Sequence, residues 1–144
     1  MKFLMMMIPR VYQPDTPASE RAGEGFTPPA DTVAKMMKYN EELAKVGALV
    51  ALDGLHPIAK GARVSFASGK TKVTDGPFIE SKEVIGGYWI IQAKSKEEAI
   101  EWARRVPAVE GDVIEIRQIF EMCDFSEDVK KAADSPTVRE QIKR

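Results

Sequence analysis

What most limits the fold of this chain is the order in which two kinds of apolar pattern alternate. Two stretches repeat apolar residues at helical spacing, and short apolar runs of strand length bracket each of them. FLMMMI, residues 3–8, is too short for a helix and is stopped by Pro9, which suits a central strand. Val33, Met36, Met37, Leu43, Ala44 and Val46 then mark a helix, with Asp31 or Thr32 as its cap and Gly47 as its stop. ALVALDGL, residues 48–55, reads as the next strand, and VIGGYWIIQA, residues 84–93, as an interior one. Ser95-Lys96-Glu97-Glu98 is a capping box that opens a second helix with Ala99, Trp102, Ala103 and Val106 on its buried face and Pro107 closing it. VIEIRQIF, residues 113–120, supplies the last strand.

Between the middle strands lies ARVSFASGKTKVTD, residues 62–75, a hairpin turning at Ser68-Gly69. A two-residue loop pairs 67 with 70 and carries the register to 62 opposite 75. Val64, Phe66, Thr71 and Val73 then share one face, and Arg63, Ser65, Lys72 and Thr74 the other. The expected fold is α+β, a ferredoxin-like β-α-β-β-α-β with an inserted hairpin. Two helices cover one face of a four-stranded sheet. The other face also carries apolar residues, so a second copy of the sheet is the expected cover and a homodimer the expected assembly.

A chain of 144 residues fits one domain, here 1–121, and can bury about 68–70% of its extended surface without metal or disulfide. Residues 10–30, rich in proline, form a long loop that is either a lid or a passive connection. Residues 122–144 form a polar tail with a short helix from Pro136 capped by Ser135, and Phe125 as an anchor. A net charge of −1 gives no reason to expect nucleic acid or an anionic membrane as partner. Cys123 is the single cysteine, so no internal disulfide or cysteine metal cluster forms, and no cofactor or metal is expected. After Lys2 only about six apolar residues precede Pro9, short of the roughly 7–15 of a signal sequence, so a cytoplasmic location is expected.

GLHPIAKGARVSF, VTDGPFIESKEVIGGYW, SKEEAIEWARR and IEIRQIFE together resemble the YCII-related family, in its DGPF-type branch. The resemblance spans roughly residues 1–125 and implies a ferredoxin-like fold in dimeric α/β-barrel form, with no established substrate. Smaller members are suspected enzymes with a histidine on the first helix paired to an aspartate. Here that helix has Met36, Tyr39 and Asn40 instead, so of that pairing only Asp75 of the DGPF motif carries over.

Asp75-Gly76-Pro77-Phe78 has the composition of a rigid corner, which either merely ends the hairpin or aims Asp75 into a cleft. Asp75 falls opposite Ala62, only six residues after His56, so both side chains reach the same rim. A carboxylate beside an imidazole orients it and lets the pair move a proton near neutral pH. Glu80 is a second carboxylate near Asp75, or the surface partner of Lys82. Gly86 and Gly87 inside a strand call for close approach of a backbone or ligand, and Tyr88 and Trp89 then point to opposite faces. Arg63 and Arg117 fall away from the helix-covered face and need a carboxylate or an anionic ligand. The sequence thus points to a small organic molecule bound in an inter-sheet cleft by Glu80, Arg63, Trp89 and Arg117, with acid–base catalysis by Asp75 and His56. A non-catalytic ligand-binding or regulatory protein is the alternative.

Overall fold

The structure, a computed structural model, describes residues 1–78 and 83–142. Strand β1 (Lys2–Ile8) leads through residues 9–29 into helix α1 (Ala30–Lys45) and strand β2 (Leu49–Gly54). The hairpin β3 (Ala62–Ala67) and β4 (Lys70–Asp75) follows, then β5 (Gly87–Gln92), α2 (Lys96–Arg104) and β6 (Val113–Gln118). Two short helices, α3 (Glu127–Ala132) and α4 (Pro136–Gln141), end the chain. The main sheet has the order β2-β5-β1-β6, with every neighbouring pair antiparallel. An α+β fold of this order agrees with the ferredoxin-like expectation, and the sheet of one chain does not close into a barrel.

Alternation decides which residues enter the core. Phe3, Met5, Trp89 and Ile91 stand in paired positions on one face, and Leu43, Ala99 and Trp102 of the two helices pack onto them. The helices are tied to each other as well: the Tyr39 hydroxyl donates to the Trp102 carbonyl at 2.9 Å, and the two rings meet edge to face at 6.4 Å. Leu4, Met6 and Ile90 face the other way and lie outside that cluster. Helix α2 begins at the expected cap, with Ser95 Oγ accepting from the Glu98 amide at 3.2 Å, while the Glu98 carboxylate reaches one residue beyond the cap and accepts from the Lys94 amide at 2.6 Å.

Helix α1 departs from the reading of its sequence. It starts at Ala30, and Pro29 occupies the capping position with no side-chain bond, so neither Asp31 nor Thr32 caps it. The proline pair Pro28-Pro29 holds the chain extended up to that point and the helix begins as soon as it ends. Val33, Met37 and Val46 are exposed, while Tyr39 and Asn40 are buried. Two polar side chains thus take positions that apolar spacing assigned elsewhere, and each is held there by a hydrogen bond.

The hairpin has the register that its alternation sets, from Ala62 opposite Asp75 to Ala67 opposite Lys70. Ser68 and Gly69 both have positive φ, 51° and 71°, the turn whose twist matches that of the strands it joins. Both faces of the hairpin are solvent-exposed, including Phe66 at 81%.

The segment after β1 is fastened at several points. Gln13, which is buried, donates to the carbonyls of Pro9 at 2.6 Å and Val84 at 2.9 Å and accepts from the Val84 amide at 2.9 Å. Its side chain therefore does for Val84, which precedes β5, what a neighbouring strand would do. The Ala22 amide donates to the Val11 carbonyl at 2.8 Å and folds the segment back on itself.

Candidate functional site

Two hollows border the elements that the sequence singles out. The smaller, about 150 Å³, lies under α1. Met36 and Asn40 of α1 border it above, and Met7, Leu52 and Trp89 of the sheet border it below. Gly54 and Gly87, which face each other across β2 and β5 on the side of the sheet that carries Leu52 and Trp89, border it as well. Neither supplies a side chain. A Cβ at Gly54 would meet nothing within 4 Å, whereas one at Gly87 would come within 3.0 Å of the Asp53 carbonyl. Gly86 is tighter still, since a Cβ there would lie 2.5 Å from the Pro9 ring. The glycine pair is thus required by close approach of the chain to itself.

Asn40 is one of the polar residues that border this hollow, with Asp53 and Tyr88, and its orientation follows from its partner. Trp89 Nε1–H, which can only donate, gives its hydrogen to Asn40 Oδ1 at 2.8 Å. The amide nitrogen of Asn40 is therefore turned away from the indole. Among the described residues it makes no hydrogen bond, and since no buried side-chain nitrogen or oxygen there lacks a partner, it is open rather than sealed in the core. On the opposite side of the sheet the Tyr88 hydroxyl donates to Asp53 Oδ2 at 2.8 Å. That hydrogen bond, then the charge of Asp53 and then desolvation, raises the tyrosine above its ordinary pKa.

The larger hollow, about 470 Å³, opens between the segment after β1 and the Asp75-Gly76-Pro77-Phe78 corner. Tyr12, Arg21, Pro57, Ile58, Pro77 and Phe78 are among its walls. The corner is pressed against the 3₁₀ turn Ile58–Lys60: the Gly76 amide donates to the Gly61 carbonyl at 2.8 Å, and a Cβ at Gly76 would fall 1.7 Å from the Ile58 carbonyl oxygen. Only glycine fits there. Tyr12 donates its hydroxyl to the Leu55 carbonyl at 2.9 Å, and burial raises its pKa.

The residues expected from sequence are scattered over this geometry. Trp89 borders the smaller hollow. Asp75 ends β4 opposite Ala62 and His56 precedes Pro57; both are exposed, and among the described residues neither side chain makes a hydrogen bond or ion pair. Neither borders the two hollows, whose nearest members are Pro57 and Pro77. Arg63 lies with its guanidinium 4.1 Å from the centre of the Phe78 ring, a cation–π contact. Arg117 is exposed on β6, opposite Leu4 on the face away from the helices, so burial does not oblige it to take a partner. Glu80 and Lys82 lie outside the described residues. Among the described residues no three His, Cys, Asp or Glu side chains stand together as a metal site.

A family model, that of the YCII-related domain, matches residues 4–123. The chain belongs to the YCII-related family. It is also similar to an uncharacterized protein of Rhizobium meliloti (strain 1021), 36% identical over 74 residues, which is 51% of this chain and 56% of that relative. The chain thus spans little more than half the length of that curated relative. In this YCII-related protein the first helix presents Met36 and Asn40 to the hollow, while Tyr39 is spent on the contact with α2. Sequence reasoning noted Asn40 only as a departure from the histidine pattern. The signal that would have found it is the tryptophan: a buried indole N–H needs an acceptor, and asparagine is an unusual residue for a helix interior.

Proposed function

We propose that this YCII-related protein binds a small organic molecule in the hollow under α1, through a carbonyl or carboxylate oxygen placed on the Asn40 amide. One observation carries the reading: a side-chain donor of a helix residue, fixed in orientation by Trp89 and without a hydrogen bond among the described residues, stands open beside a hollow that Met7, Met36, Leu52 and Trp89 also border. An oriented amide N–H that is left open can donate to the oxygen of an occupant. A space near 150 Å³ suits a molecule of about the size of benzene. The test is NMR of the Trp89 indole N–H while acetate or pyruvate is titrated, with Trp102→Phe used to assign the signal. A saturable shift that disappears in Gly54→Val, which fills the hollow, is expected. A shift that never saturates, or one that survives Gly54→Val, rejects the proposal.

A homodimer belongs to the same reading. It is supported by the apolar Leu4 and Ile90, which lie outside the helix-covered core, and by the exposed apolar face of the hairpin. Acid–base catalysis by Asp75 with His56 is its further extension, and requires a ligand or second subunit to bring the two exposed side chains into hydrogen-bond reach. A downfield imidazole N–H proton that vanishes in Asp75→Asn would mark the pair. The same spectrum in both proteins excludes it.

A further inference from the structure

The larger hollow carries its own chemistry. Among the described residues that border it Arg21 is the charged one, set among prolines, Ile58 and the rings of Tyr12 and Phe78. Its guanidinium is held in place from one side, where Nε and Nη2 both donate to the Thr16 carbonyl at 3.0 and 2.7 Å. Thr16 is itself buried, so the anchor is rigid. Among the described residues no carboxylate pairs with Arg21. An arginine oriented by a carbonyl keeps its remaining N–H groups and its whole charge for another acceptor, and the geometry of a guanidinium fits a carboxylate or sulfonate. A volume of about 470 Å³ falls within the range of small-molecule sites.

From this we infer that the hollow between the segment after β1 and the DGPF corner is a second binding site, for an organic anion with a flat apolar body. The apolar walls take the body and Arg21 takes the anionic group. This site shares no bordering residue with the hollow under α1 and does not depend on the function proposed for it.

The experiment is isothermal titration of the full chain with 2-naphthoate, and with 2-naphthalenemethanol as its uncharged counterpart. One molecule of naphthoate is expected to bind per chain, at least about fivefold more tightly than the alcohol. Arg21→Gln, at an exposed side chain, should erase that preference and leave the binding of the alcohol as it was. Ala59→Trp, which fills the hollow, should abolish both, and Gly54→Val should change neither. Absence of saturable naphthoate binding overturns the inference. So does binding that is indifferent to both Arg21→Gln and Ala59→Trp, or that is lost in Gly54→Val.

Discussion

The bond between Trp89 and Asn40 can be tested by a double-mutant cycle, because the orientation of the Asn40 amide depends on it. Asn40→Ala removes the acceptor and leaves the indole N–H buried without a partner. A buried donor left unpaired costs about 1–3 kcal/mol, and loss of side-chain contacts adds to it, so a destabilisation of about 2–3 kcal/mol is expected. Trp89→Phe removes the donor, shrinks a side chain that is 5% exposed and unbalances its edge-to-face contact with Tyr39 at 5.8 Å. Truncation of this kind in a packed core costs about 2–4 kcal/mol. With phenylalanine at 89 there is no N–H to orphan, so Asn40→Ala should then cost at least about 1 kcal/mol less than in the parent chain. The assay is urea unfolding followed by circular dichroism, with the slope against urea required to stay the same in all four proteins. Additivity within about 0.5 kcal/mol would refute the reasoning: the amide would not be held by the indole, and the hollow would lose its oriented donor.

Gly76→Ala should destabilise the DGPF corner by about 2–4 kcal/mol, because its Cβ would overlap the Ile58 carbonyl at 1.7 Å and drive the Gly76 amide off Gly61; hydrogen exchange at residues 58–76 reads this directly, and unchanged protection there contradicts the packing described. Burial raises the pKa of Tyr39 above its ordinary value near 10, so the unfolded chain loses that proton first and stability falls as pH rises through 10 and upward. Tyr39→Phe should reduce this alkaline slope by up to about 1.4 kcal/mol per pH unit, and an identical slope in both proteins rejects the assignment. Light scattering after size exclusion should give twice the chain mass at micromolar concentration; a single-chain mass would remove the case for paired sheets.

Where the rules that shape an element are local, the sequence was enough. The hairpin register follows from the Ser68-Gly69 turn and from side chains that alternate, and both are written within fourteen consecutive residues. The start of α2 is equally local, since Ser95 and Glu98 need only each other and the nearby amides. The start of α1 failed because two rules compete there, and the extended preference imposed by Pro28-Pro29 ends before the residues with better capping side chains arrive. Its buried face was read only in part, with Leu43 buried and Met36 packed on the core as expected, and the rest was missed for a different reason. Val33, Met37 and Val46 satisfy helical spacing, yet which side of a helix is buried is set by partners far along the chain, Asn40 with Trp89 of the sheet and Tyr39 with Trp102 of α2 being the clearest.

The site was legible only as punctuation. Glycines 54, 86, 87 and 76 were visible as breaks in strands and turns, but a glycine tells the reader that space or close approach is needed, without telling what comes close. In the fold they divide into two kinds. Gly76, Gly86 and Gly87 leave room for the chain's own backbone and Pro9, whereas Gly54 leaves room for nothing that the chain supplies. That difference depends on the pairing of β2 with β5, which no local pattern encodes. The same holds for Arg21 and Asn40. Each is an ordinary polar residue in the sequence, and each becomes a candidate only when a neighbour in the fold turns it, the nearby Thr16 carbonyl for one and the distant Trp89 indole for the other. Asp75 and His56 show the converse. Asp75 does pair opposite Ala62, but both side chains end exposed, and in the single chain the DGPF corner presents Pro77 and Phe78 to the hollow rather than its acid. The motif is rigid because Gly76 is wedged beneath Ile58, and it is this wall-building, independent of any proton transfer, that a glycine-proline corner achieves on its own.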